Sequence, residues 1–119
     1  MQRNRVPKIK PFNTLFKKKR SRAAVRRAGD QARDAERWSE AAAHYADFLQ
    51  CEPSNVMIRV QLGNCLKEAG RHTEALAAYD LAIALDDKHD DAHLQRGHLL
   101  KKMGRVSQAA WRNTANPSS

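Results

Sequence analysis

A chain of 119 residues, 41% apolar but only 6% aromatic, has room for one compact domain with a lean core of small side chains, which excludes a large β-sandwich. Its formal charge of +9 suggests a nucleic-acid binder until it is divided along the chain: residues 1–27 hold eleven Lys/Arg and no Asp/Glu, whereas residues 28–119 hold eleven against thirteen. The basicity therefore belongs to a leader, and the remainder is near neutral. No apolar run approaches the ~18 residues that cross a membrane. Cys51 and Cys65 form no CxxC pair and no secretory segment precedes them, so a reducing, cytoplasmic setting is expected.

Residues 1–21 read as a disordered basic leader, with Pro7 and Pro11 opposing early helix. Lys8, Lys10, Lys17, Lys18, Lys19, Arg20 and Arg22 are candidate polyanion contacts. With Phe12, Leu15 and Phe16 interleaved, they suit either an anionic membrane surface or a nucleic acid on which aromatic rings stack.

From residue 22 the sequence repeats with a period of 34, aligning Gly29, Gly63 and Gly97; Arg37, Arg71 and Arg105; Ser39, Thr73 and Ser107; Glu40, Glu74 and Gln108; and Ala41, Ala75 and Ala109. Three units result, 22–55, 56–89 and 90–115, with a polar tail at 116–119. In the second unit Val56, Leu62, Cys65, Leu66 and Ala69 recur at helical steps until Gly70 interrupts them. Thr73 then offers an oxygen to the free N–H groups of a new helix, and Glu74 complements its positive end. The new helix presents Ala75, Leu76, Ala78, Tyr79, Ala82, Ile83 and Leu85. Ser39–Glu40 and Ser107–Gln108 predict the same start in the other units. A mid-helix glycine costs about 1 kcal/mol against Ala, so the Gly63 column predicts a close helix crossing, with the Ala75 column as the expected partner.

These residues resemble the tetratricopeptide-repeat (TPR) family, whose W-x2-L-G-x2-Y, A-x3-F and P pattern is matched by Arg59-x2-Leu62-Gly63-x2-Leu66, Ala75-x3-Tyr79 and Asp87. The first unit reads Val25-x2-Ala28-Gly29-x2-Ala32, Ala41-x3-Tyr45 and Pro53. The third reads His93-x2-Arg96-Gly97-x2-Leu100 and Ala109, with Asn113 in the aromatic place. The resemblance implies an all-α, right-handed superhelix of five to six antiparallel helices. The last helix should end early, at Asn113, Asn116 and Pro117, which leaves Leu99, Leu100, Met103 and Trp111 on an open stacking face. That face suggests self-association, or a parent protein of which this chain is the amino-terminal adaptor, such as a bacterial glycosyltransferase.

The resemblance further implies a non-catalytic scaffold whose first helices line a groove for a protein or peptide. That groove would be formed by Arg26, Asp30, Arg33, Met57, Gln61, Asn64, Lys67, Asp91, Gln95, His98 and Lys102, mixed in charge and leaning basic. Asp30, Gln61, Asp91 and Gln95 stand where TPRs that clasp a chaperone's terminal carboxylate need Lys and Asn, so that subclass is not expected. His89 and His93 have metal-ligand spacing, but His89 falls at the connection between units and His93 early in the next helix, positions that accept many residues, and no metal or other cofactor is expected. Cys51 and Cys65 occupy apolar positions and read as inert packing. No phosphate loop or catalytic set accompanies them.

Overall fold

The computed structural model describes residues 21–114, with side chains as far as Arg105. The leader cations Lys8 to Arg20 and the tail at 116–119 lie outside the described residues. Five α-helices follow one another: α1 (Arg22–Asp34), α2 (Trp38–Cys51), α3 (Val56–Glu68), α4 (His72–Leu85) and α5 (Asp90–Thr114). Each packs on the next, and α3 also touches α5.

One register position starts the first helix of every unit. Ser21 Oγ accepts from the Ala24 N–H at 3.2 Å, Asn55 Oδ1 from Ile58 at 3.0 Å, and His89 Nδ1 from Ala92 at 3.2 Å. Three side-chain types thus perform the same N-cap task 34 residues apart. His93 Nε2 lies 2.8 Å from the Asp87 carbonyl oxygen, so the two histidines with metal-ligand spacing each have a local backbone partner. No group of three or more potential metal ligands occurs among the described residues.

The second helices begin differently from the expectation. Ser39 and Thr73 do not cap; the helices start two residues earlier, after Arg37 and Arg71, neither of which makes a side-chain cap bond. Instead Arg37 Nε donates to Glu40 at 2.9 Å and Arg71 Nε to Glu74 at 2.8 Å, each clamping a first turn across three residues. The Arg71 bond holds the Glu74 carboxyl below its ordinary range. The turn before each clamp needs one left-handed residue, Glu36 (φ 60°) in the first unit and Gly70 (φ 82°) in the second. Only glycine adopts that backbone without steric strain.

Seven alanines, Ala32, Ala41, Ala42, Ala75, Ala78, Ala82 and Ala92, make up nearly half of the core, and Tyr45, Tyr79, Ile58, Leu99 and Val60 are its largest fully buried side chains. The Gly63 crossing is real, but its partner is Tyr79 rather than Ala75. A Cβ on Gly63 would stand 2.6 Å from Tyr79 Cε1, and one on Gly29 would stand 2.8 Å from Tyr45 Cε1. The small residue accommodates a ring, not a second backbone. Two expected core residues are outside: Cys51 is exposed, and Leu85 is 45% exposed.

The third unit departs most. No turn forms ahead of Ser107; α5 runs unbroken through Gly104 to Thr114, so among the described residues the expected sixth helix does not form and its expected start lies inside α5. The physical reason lies in position 113. In the other units the chain turns back because Tyr45 or Tyr79 is buried by doing so. Asn113 offers no such burial, and continuing the helix keeps a backbone hydrogen bond per residue instead. Of the four residues expected on the open face, Leu99 is fully buried and Leu100 is 41% exposed. Met103 is half-buried, and the Trp111 side chain lies outside the described part.

Candidate functional site

An open hollow of about 580 Å³ lies across the first helices of the units, lined by Arg33, Asp34, Trp38, Gln61, Asn64, Cys65, Lys67, Glu68 and Gln95. Two rungs cross it. Arg33 Nη1 on α1 donates to Gln61 Oε1 on α3 at 3.3 Å, and Lys67 Nζ on α3 donates to Gln95 Oε1 on α5 at 2.9 Å. Donor and acceptor are 28 residues apart in both rungs, so the pattern is a repeated cation-to-amide link between neighbouring units. Lys101 continues the cation column on α5.

Below the rungs, each tyrosine hydroxyl donates to the residue after the crossing glycine: Tyr45 to Asp30 Oδ1 and Tyr79 to Asn64 Oδ1, both at 2.5 Å. Arg33 Nη1 also reaches Tyr45 Oη at 3.3 Å and Asp30 at 3.5 Å, while its Nε and Nη2 hold Asp34 at 3.2 and 3.1 Å. Burial opposes the Arg33 charge. The hydrogen bond to Asp34 and the charges of Tyr45, Asp34 and Asp30 outweigh it and keep the guanidinium above its ordinary value.

Of the eleven residues assigned to a groove from the sequence, Arg33, Gln61, Asn64, Lys67 and Gln95 line this hollow. Asp30 lies beneath it through Tyr45, and Asp91 accepts from Gln95 at 3.3 Å. Arg26 turns to Asp30 at 4.0 Å. Met57, His98 and Lys102 are exposed on the same helices without lining the hollow. The sequence reading missed Asp34, Trp38, Cys65 and Glu68. Asp34 and Glu68 were detectable as a column 34 apart, directly after the Arg33–Lys67 column. Each cation at the hollow is thus followed by a carboxylate, and the lining is balanced in charge where a basic lean was expected. Only at Lys101 and Lys102 does the pattern turn cationic. Arg22, assigned to polyanions, donates to Glu52 at 2.8 Å and thereby holds that carboxyl below its ordinary range.

Cys65 lies at the floor of the hollow. Burial pushes its thiol up to about 11, which leaves little thiolate near neutrality. Burial, first, and the bond to Asp30 likewise hold the Tyr45 phenol well above its ordinary value; burial and the carboxylates of Asp91 and Glu68 do so for Tyr79. All three are acids whose native form is protonated, so the unfolded chain ionises first as pH rises, and stability is lost through that window. The thermal midpoint should be level up to about pH 8.5 and fall progressively once pH exceeds the ordinary thiol value of 9.0, read by circular dichroism. A level midpoint to pH 11 would contradict the assigned burial of these groups.

A family model described as a TPR repeat matches residues 63–104, and no curated protein matches the chain in sequence. Among solved structures, the Arabidopsis OM64 TPR domain is similar at 20% identity and a TM-score of 0.66, covering 75% of this chain and 74% of that one. A mutant of MamA is similar at 22% identity and a TM-score of 0.66, covering 75% of this chain and 49% of that one. At such identities the likeness speaks for the fold. This chain spans about half the length of the MamA chain it matches. The five helices, the glycine-under-tyrosine crossings and the match across the second and third units agree: residues 63–104 match a tetratricopeptide repeat, and the chain has the all-α fold of tetratricopeptide-repeat domains.

Proposed function

We propose that the chain is a protein-interaction scaffold that holds an extended peptide segment across the hollow between its repeats and performs no chemistry of its own. The observation that carries this reading is the pair of rungs, Arg33–Gln61 and Lys67–Gln95. They set amide groups at a regular interval along one open surface. Gln61 and Asn64 each use their oxygen on a neighbour, and their NH2 groups have no partner among the described residues. Such donors suit the carbonyls of an extended chain. The Arg33–Asp34 and Lys67–Glu68 pairs favour a ligand with both signs of charge over a purely acidic one. Trp38 adds an apolar wall where a ligand side chain can anchor.

The test is selection of peptides from a displayed random library on the full chain, followed by affinity measurement with Gln61→Ala and Lys67→Ala variants. Each variant should weaken the selected peptides by about tenfold, the loss of one or two hydrogen bonds to a charged or amide group. Failure to enrich any sequence, or equal binding by both variants, would sink the proposal.

A further inference from the structure

The flank of α5 that faces away from the core repeats the layout of α3 and is bare among the described residues. On α3, Val60, Gly63 and Leu66 lie three residues apart along one side, and all three are buried, with the Tyr79 ring filling the notch at Gly63. Thirty-four residues on, α5 carries Leu94, Gly97 and Leu100 in the same places. Here Leu94 is 53% and Leu100 41% exposed, and apart from α5's own adjoining backbone no described residue comes within 4 Å of the place a Gly97 Cβ would take. The hydrogen-bonding partner is in place too. Asp30 and Asn64, each directly after its glycine, accept from the tyrosine hydroxyl, and His98 occupies that place on α5. Because α5 is one continuous helix to Thr114, its backbone as far as that residue leads away from the notch.

We infer that this flank of α5 receives a helix from a second protein, one that carries tyrosine on the Ala-x3-Tyr spacing of α2 and α4 and acidic residues beside it. The charge on the page selects the occupant. Arg96 is already paired with Asp80 of α4 at 2.6 Å, but from Gly97 to Thr114 α5 holds Lys101, Lys102, Arg105 and Arg112 and no Asp or Glu, and Lys101, Lys102 and Arg105 are exposed. A second copy would set these cations against their own kind, and its two Ala-x3-Tyr helices already spend fully buried tyrosines on their own repeats. The basic leader is repelled on the same ground. An acidic helix meets both the notch and its rim. This surface is separate from the hollow, so it stands or fails independently of the peptide reading.

A probe exists within the chain. The 14-residue sequence of α4, residues 72–85, carries Ala75, Tyr79, Glu74 and Asp80 and no Lys or Arg. Made as a capped, fluorescein-labelled peptide and titrated with the full chain, it should bind saturably in fluorescence anisotropy. Replacing the peptide's tyrosine by Ala should weaken it by about tenfold. Gly97→Ala in the full chain should do the same, because the new Cβ fills the notch while the variant melts no lower than the parent. Three results would overturn the inference: no saturable binding; equal binding by the Gly97→Ala chain, which would mean that the peptide exchanges with α4 instead; or a dimer in sedimentation equilibrium that Gly97→Ala abolishes, which would make a second copy the occupant.

Discussion

Gly63→Ala should destabilise the chain, and Gly97→Ala should stabilise it, although both replace a glycine at the same register position of the same kind of helix. At Gly63 the added methyl meets Tyr79 Cε1, Cδ1 and Cζ at 2.6, 2.8 and 3.0 Å. The ring has nowhere to retreat: it is wholly buried and tethered through its hydroxyl to Asn64. Overpacking of this kind costs roughly 1–3 kcal/mol, more than the helix-propensity gain of about 1 kcal/mol that alanine brings in compensation. At Gly97 only the gain remains, since none of the described residues stands in the way. Urea denaturation should therefore show the two midpoints moving in opposite directions. Midpoints that move together would refute the contrast between a filled and an empty notch.

Tyr79→Ala should remove most of the fold. Deleting a buried aromatic ring costs about 3–5 kcal/mol, a large share of the 5–15 kcal/mol that typically separates folded from unfolded domains. Tyr79 also joins the two helices of the central unit, through which the outer units communicate. Tyr79→Phe isolates the hydroxyl and should cost about 1 kcal/mol, the usual worth of a neutral hydrogen bond. Tyr45→Phe should cost more, about 1.5–3 kcal/mol, because Asp30 and Arg33 both engage that oxygen and charged partners make stronger bonds. The ordering Tyr79→Ala, then Tyr45→Phe, then Tyr79→Phe is the measurable content, by chemical denaturation at one pH.

Much of this architecture was legible because repeated mechanical tasks leave repeated residues. Ala41 and Ala75 are conspicuous in sequence and fully buried in the fold. Periodicity states which face a residue occupies, however, and not how far a neighbouring side chain reaches. That is why the glycine notch was assigned to the alanine column when a ring one turn later fills it. The cap column was illegible for a different reason: serine, asparagine and histidine share little except an acceptor at the right height. The missing third turn shows the limit of local signals. Gly104 stands in register with Glu36 and Gly70, yet a permissive residue only allows a turn. What compels it is the burial that follows, and Asn113 withholds that. At the hollow, Asp34 and Glu68 went unassigned because a carboxylate near a helix end reads as solvated, and only the fold shows a neighbouring unit beside it.

Every substantial contact between helices joins elements at most two apart in the chain, and this orders events in time as well as in space. Loop-closure entropy rises only with the logarithm of loop length, and chains whose contacts are this local fold in microseconds to milliseconds. A ribosome adds roughly 5–20 residues per second. The pair α1–α2 therefore has ample time to settle before α3 is synthesised, and each later helix is delivered onto a surface already formed.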